Sequence, residues 1–392
     1  MENWKTCTIA DLGTVVGGAT PSTKKPENYE GGTIAWITPK DLAGFSGRFI
    51  SHGERNITEA GLNSCSARMM PKHTVLFSSR APIGYAAIAE NEICTNQGFK
   101  SVVPNESTDY MFLYYLLLHN RQNIEHMGSG TTFKEVSGKT MRGIEVKVPE
   151  SKAEQIRISS VLSALDDKIE ENEKINKNLL EQAQSIFTQE FLMFDRIPDG
   201  WQESSLLGIA DYLNGLAMQK YRPKDDEQGL PVLKIKELRQ GSCDFNSELC
   251  SPSIKPEYIV HDGDVIFSWS GSLLVDLWCG GTCGLNQHLF KVTSSTYDKW
   301  FYYAWTNHHL QKFAAIAADM ATTMGHIKRE ELSKAEVLIP SQSDYDRIGG
   351  LLAPLYDLVI ANRIENRKLA SLRDELLPQL MSGQLDVSEV SL

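Results

Sequence analysis

The chain lacks any apolar run long enough to cross a membrane: the longest, residues 111–118, is eight residues long, against the roughly 20 that a spanning helix needs. Trp4 and Lys5 stand in the first ten residues with no apolar core after them, so no secretory signal is read there. Cysteine is scarce and scattered: Cys7, Cys65, Cys94, Cys243, Cys250, Cys279 and Cys283 make an odd number in 392 residues. That excludes a disulfide framework and suits a reducing cytoplasm. There is also no excess of positive charge. With 39 Lys and Arg against 50 Asp and Glu, the net charge is -11, which excludes a broad basic surface of the kind that coats nucleic acid. Catalytic signatures are missing too. There is no GxGxxG loop, no Asn/Asp-Pro-Pro-aromatic motif of amino-methyltransferases, no nucleophile elbow and no cluster of nuclease-type carboxylates. Scattered histidines such as His308 and His309 read as core or surface, and no cofactor is expected.

What is present is a repeat. The length predicts two or three domains, and an offset of about 190 residues brings similar stretches into one order. Trp4 falls near Trp201; residues 33–42 (TIAWITPKDL) match 229–238 (GLPVLKIKEL); VLFS at 75–78 matches VIFS at 265–268. Asn96-Gln97 match Asn286-Gln287, Thr131-Thr132 match Thr322-Thr323, and strands ending in Pro149 and Pro340 close the two copies. Four segments follow: 1–150, 151–195, 196–340 and 341–392. Their basic and acidic side chains number 15 and 15, 5 and 9, 14 and 18, and 5 and 8. Acid per residue is densest in the second and fourth, so contacts to a polyanion belong to the other two.

Those acidic segments carry the clearest pattern. Eight of 23 positions are identical between 157–179 and 347–369. In the first, Ile158, Leu162, Leu165, Ile169, Asn172, Asn176, Leu179, Ala183 and Ile186 alternate by four and three. The second repeats the pattern as Ile348, Leu352, Leu355, Val359, Asn362, Asn366, Leu369, Arg373, Leu376 and Leu380. This is the seam of a coiled coil. A polar residue in such a seam fixes register and partner, so the two asparagines in each copy predict that these helices pair with each other. Ser163 with Asp166 reads as a capping box and Pro354 as a first-turn proline, which predicts long helices starting near 164 and 354, each preceded by a shorter one.

The other two segments read as heads. Short strand-like runs at 34–38, 75–78, 86–89, 143–148, 232–235, 265–269, 289–292 and 335–339 are interrupted by helical patches at 110–126 and 297–318. The fold class is α+β, with two mainly β heads separated and followed by two long helices that form an antiparallel coiled coil.

This order, with GGATPS at 17–22, SSRAPIG at 78–84, WSGSLLVDLW at 269–278, LNQHLF at 285–290 and LLPQLMSGQLDV at 376–387, resembles the specificity subunit of type I restriction-modification systems over nearly the whole chain. The resemblance implies two target recognition domains, each reading one half of a split, asymmetric site in double-stranded DNA, with the paired helices as spacer. It also implies two DNA adenine methyltransferase subunits docked on the helices and restriction and translocase subunits that join for cleavage. Leu274 stands where the first head has Gly84, so the local turn there must differ.

Base edges are read by bidentate donors and acceptors, and phosphates by cations, hydroxyls and backbone amides. On that chemistry the first head offers Lys40, Ser79, Arg80, Tyr85, Asn96, Gln97, Lys100, Gly130, Thr131, Thr132 and Lys134, with GSGTT at 128–132 as a loop that amides could use. The second offers Lys234, Lys236, Trp269, Ser270, Asn286, Gln287, His288, Thr322, Thr323, His326 and Lys328. Asn, Gln and Thr pairs can equally hold turns and strands. Gly138-Lys139-Thr140 is no phosphate loop, because Phe133 stands where that motif needs glycine. Cys243, Cys250, Cys279, Cys283 and His288 have poor spacing for zinc, and no metal is expected. A different class of protein, a coiled-coil adaptor whose heads bind peptide or glycan, is the competing reading. If the seam is a ruler, residues 158–186 span about 42 Å at 1.5 Å per residue, about 12 base pairs, which puts the half-sites roughly one DNA turn apart.

Overall fold

The computed structural model describes residues 4–80, 82–130, 134–319 and 327–387. They form two compact units, Met1–Glu170 with Leu369–Leu392, and Glu171–Lys368. Each unit therefore joins one head to portions of both long helices, where the sequence suggested four successive segments. Among the described residues, no helix is long and apolar enough to cross a membrane.

In the first unit a five-stranded sheet runs in the order Gly13–Gly17, Lys100–Pro104, Val75–Ser79, Ile83–Ala89 and Phe49–Ile50, and only the last strand is parallel to its neighbour. Trp4–Thr8 pairs antiparallel with Glu145–Pro149, and Trp36–Ile37 pairs parallel with Cys94–Thr95. The second unit repeats this plan. Asp211–Asn214, Leu289–Thr293, Val265–Ser268 and Leu274–Leu277 form a four-stranded antiparallel sheet. Gln202–Ser205 pairs with Glu336–Ile339, and Leu230–Leu233 runs parallel to Cys283–Leu285.

Backbone hydrogen bonds show the repeat more sharply than residue identities do. Asn96 N–H donates to Ile37 O at 2.9 Å, and Asn286 N–H donates to Leu233 O at 3.1 Å. Ser78 Oγ closes one hairpin on Pro82 O at 2.8 Å, and Ser268 Oγ closes the other on Ser272 O at 2.9 Å. Gly18 and Gly215 each lie so close to the opposing chain that a Cβ would strike the carbonyls of Thr95 and Asn96, or of Leu285 and Asn286. Only glycine fits such an approach. The turn at Gly84 does differ from its counterpart: Gly84 has φ +100, whereas Leu274 opens a regular strand opposite Ser268.

Each sheet packs on a helix capped by aspartate or begun beside one, Tyr110–His119 and Lys299–His308, whose aromatic and leucine side chains fill the cores. The tail of the chain completes the first core, since Leu380 and Met381 are buried there beside Ile158 and Leu162.

The long helices are Lys152–Phe191 and Gln342–Ser382, 40 and 41 residues without a break. Each begins about twelve residues before the start expected from the sequence, with no break near 164 or 354 to separate a shorter preceding helix. Ser163 caps nothing; its hydroxyl bonds back to Ser160 O at 3.2 Å. The buried face runs through Ile158, Val161, Leu162 and Leu165 without interruption, so packing carries the helix past that point. Pro354 sits in the helix interior on the exposed side, one turn after the equally exposed Gly350, whose carbonyl it has no N–H to serve.

Within the second unit, Asn172 Nδ2 donates to Asn366 Oδ1 at 2.8 Å and to Glu365 Oε2 at 2.6 Å, and Asn362 Nδ2 donates to Asn176 Oδ1 at 2.9 Å. Partner numbers fall as residue numbers rise, so the pairing is antiparallel. Val359 and Leu352 are fully buried, Leu179 nearly so, and Leu355 is half-buried. In the first unit Leu162 and Leu165 are buried, Ile169 and Leu369 are half-buried, and Arg373 bonds Asp166 at 2.7 Å.

Candidate nucleic-acid interface

In the second head two parallel strands, Leu230–Leu233 and Cys283–Leu285, end side by side. The residues that follow them, Lys234 to Lys236 and Asn286 to His288, face each other across a cleft of about 480 Å³ that Ser270 also lines. Six of the sequence candidates, Lys234, Lys236, Ser270, Asn286, Gln287 and His288, thus come together. Gln219, Arg222 and Glu248 join them and were missed, because none of the three falls in a motif that the two copies visibly share in sequence.

The cleft is organised before any ligand arrives. Asn286 Oδ1 accepts the His288 N–H at 3.3 Å, a turn-forming bond that fixes this side chain in the cleft wall. His288 Nδ1 lies 3.1 Å from Ser270 Oγ, and its Nε2 lies 3.3 Å from Gln287 Nε2, so the ring is held at both nitrogens. Trp269 tilts against the same ring at 6.2 Å and donates its indole N–H to Asn214 Oδ1 at 3.0 Å. The cations are partnered by acids: Lys234 and Arg222 both bond Glu248, and Lys236 reaches Asp244 at 3.3 Å. Lys234 holds the Glu248 carboxyl below the usual carboxylate range. Three cations and one carboxylate line the cleft, so it gathers basic side chains although the chain is acidic. An incoming phosphate would compete with Glu248 for Lys234 and Arg222.

The first head is arranged differently at the same topological point. Asn96 Oδ1 accepts the Gly98 N–H at 2.8 Å, the counterpart of the Asn286 turn, but the Gln97 side chain is tied to Thr20 Oγ1. Ser79 must be withdrawn from the contact set: it is fully buried and its hydroxyl donates to Gly98 O at 3.1 Å. Lys100 is largely buried and bonds Glu135 at 3.2 Å and Ser79 at 3.4 Å, so it braces the strand end. Arg80 bridges the same Glu135 through its backbone, and Val136 N–H returns to Ser79 O at 2.9 Å. This closes the loop that carries Gly130 and Lys134, both exposed. The matching return in the second head is Ile327 N–H to Trp269 O at 3.0 Å, next to exposed Lys328. Thr131, Thr132, Thr322, Thr323 and His326 lie outside the described residues. Tyr85 is half-buried against the core, and Lys40 is exposed and paired with Glu54 at 2.7 Å. The Gly138-Lys139-Thr140 tripeptide forms one turn of helix capped by Ser137 and cradles nothing. No group of three His, Cys, Asp or Glu side chains among the described residues is placed to hold a metal ion.

The profile of the family described as "Type I restriction modification DNA specificity domain" matches residues 1–181 and again 198–372. The chain belongs to this family. A relative from Methanocaldococcus jannaschii, the type I restriction enzyme MjaIX specificity subunit, is 34% identical over 414 residues that cover 99% of this chain and 95% of the relative. The type I restriction enzyme EcoR124I/EcoR124II specificity subunit of Escherichia coli is 28% identical over 170 residues, 42% of this chain and 40% of that one. The crystal structure of a type I restriction-modification system S subunit from M. genitalium shares the fold with a TM-score of 0.58 at 14% identity, covering 97% of this chain and 96% of that one. As a specificity subunit the chain is the DNA-recognition component of a type I restriction-modification complex, assembled with methyltransferase and restriction subunits. The doubled profile match follows the doubled hydrogen-bond plan of the two heads.

Proposed function

We propose that each head reads one half of a split, asymmetric DNA site and that the paired helices set the distance between the halves. Chemistry comes from elsewhere: two adenine methyltransferase subunits dock on the helices, and restriction and translocase subunits join them, while this chain catalyses nothing. It works in the cytoplasm. The observation that carries the reading is the cleft of the second head, where Arg222, Lys234 and Lys236 suit phosphates and the Asn286, Gln287 and His288 side chains suit base edges. The heads differ where they correspond, Gln97 being tied to Thr20 and Gln287 to His288, which supports unlike half-sites. With a net charge of -11, tight DNA binding depends on the basic surface of partner subunits.

Methylome sequencing of cells that express the chain with its methyltransferase tests this directly. A motif in two parts is expected, and Gln287→Ala with His288→Ala should relax one part alone. Shortening both helices by equal whole turns should shorten the unread spacer; an unchanged spacer would discard the ruler. A complex with no DNA preference in a gel shift at low salt would discard DNA reading altogether.

A further inference from the structure

Isolated apolar side chains on a surface are ordinary, but Phe245 stands apart. It is 96% exposed, ahead of Met193 at 72%. It also sits at the tip of a braced turn. Asp244 N–H donates to Ser247 Oγ at 3.0 Å, Ser247 N–H returns to Asp244 O at 3.0 Å, and Asn246 N–H donates to Asp244 Oδ1 at 2.8 Å. Two side-chain bonds fasten this turn to the helix Ile235–Gln240: Lys236 Nζ to Asp244 Oδ2 at 3.3 Å, and Ser247 Oγ to Glu237 Oε1 at 3.3 Å, with Ser247 and Glu237 both buried. Lys236 lines the cleft. The phenyl ring therefore projects into water one residue away from a group paired to the cleft, on a turn with little freedom to fold it back.

We propose that Phe245 is a wedge that enters between two base pairs of the half-site read by the second head. The proposal rests on the DNA-reading function of the cleft. An apolar side chain inserted at a base step unstacks it and kinks the duplex, and Lys234, Lys236 and Arg222 lie where they can hold the phosphates beside the opened step. The first head does not share the device. Its corresponding turn follows Gly44 (φ +80) as the second follows Gly241 (φ +75), but its Phe45 is only 37% exposed. The distortion belongs to one half-site.

The test uses the chain assembled with its methyltransferase subunits and a duplex carrying the motif found by methylome sequencing, with 2-aminopurine placed in turn at each step of the second half-site. Binding of the wild-type complex should raise fluorescence several-fold at one step. Phe245→Ala should abolish that rise and weaken binding about ten- to a hundredfold, the range expected for loss of one stacking contact. It should leave the salt dependence unchanged, because a phenyl ring releases no counterions. Phe245→Trp should retain both signals, and methyltransferase should co-purify in the same ratio throughout. Full affinity or a persisting rise in Phe245→Ala overturns the wedge. So does loss of methyltransferase from that variant, which would make the ring a protein contact. Tight wild-type binding with no rise at any step overturns the wedge and leaves DNA reading intact, whereas a wild-type complex with no DNA preference removes both.

Discussion

In the first unit a cation of the head reaches acids on a long helix: Arg48, 3% exposed, bonds Glu170 at 2.9 Å and also Asp167. In the second unit the cations sit on the helix and the acids on the head. Arg363 bonds Asp276 and Arg367 bonds Asp262, each at 2.7 Å. One topology is thus fastened twice with opposite polarity. Burial alone would lower the Arg48 pKa, but its bonds to Glu170 and Asp167 more than offset that, so the cation stays charged. The same holds for Arg363 beside Asp276. A duplicated domain needs its heads attached at a fixed angle, and the inversion makes each attachment repel the wrong helix surface. We therefore read the ion pairs as devices of specificity more than of stability, because a buried pair contributes little net energy while a broken one costs a great deal.

The largest expected effect breaks the tighter of these fastenings. Arg48→Met leaves Glu170 facing an apolar side chain and should destabilise the first unit by about 3 kcal/mol. Arg363→Met should cost the second unit less, about 1 to 2 kcal/mol, because the Arg363 side chain is itself more open to water than that of Arg48. Hydrogen exchange against denaturant resolves peptides from the two units, and equal losses in both would refute the contrast. Exchanging the second pair, Asp276→Arg with Arg363→Asp, should recover most of the loss.

A smaller effect separates the two stretches of helix pairing. The first unit joins its helices through Leu162, Leu165 and the Asp166–Arg373 pair, the second through the two asparagine pairs. Asn172→Leu removes two hydrogen bonds and should cost about 1 to 2 kcal/mol. Asn172→Leu with Asn366→Leu makes that layer apolar. It should raise the melting temperature while loosening register, with dimers or larger species detected by light scattering. A double variant that stays strictly monomeric would mean that the asparagines do not select the partner helix.

The seams were legible because an alternation of four and three survives duplication. Their start was not, since Ser163 is a capping residue by type and bonds back inside a continuous helix. In the heads, Lys234, Lys236 and the Asn286 to His288 run stood out because they follow two strand-like stretches, and those strands prove to be parallel neighbours. Ser79 misled because residue type does not say which way a strand-end hydroxyl points. Arg48 carried no local signal at all, its acids lying 119 and 122 residues away. Phe245 escaped notice for a similar reason: it lies where the two copies differ in length, marked only by the turn-forming Asp, Asn and Ser around it.

Acid sharpens the comparison without any substitution. Burial lowers the pKa of His309, whose Nε2 lies 2.8 Å from Glu336 O, and also that of its neighbour His308. Around His309, the charge of Lys312 opposes protonation and the Glu336 carbonyl and carboxylate favour it, while His308 is opposed by both His309 and Lys312. Both rings take up protons at lower pH in the folded unit than in the unfolded chain, where protonation occurs near pH 6.5. Stability is therefore present above that pH and falls as acid is added, until the lower folded-state pKa is passed. The first unit has the equivalent His119, lowered by burial with no second histidine beside it, and a separate His73, stacked on Tyr110 and lowered by burial and by Lys72. Glu190 and Asp262, held below the carboxylate range by Arg347 and Arg367, change state only in stronger acid, so the interval from pH 7 to about 5.5 isolates the histidines. Hydrogen exchange across that interval should show both units softening and the second softening more. His308→Gln should narrow the difference, and a first unit that proves the more sensitive would point to a titrating group other than this histidine pair.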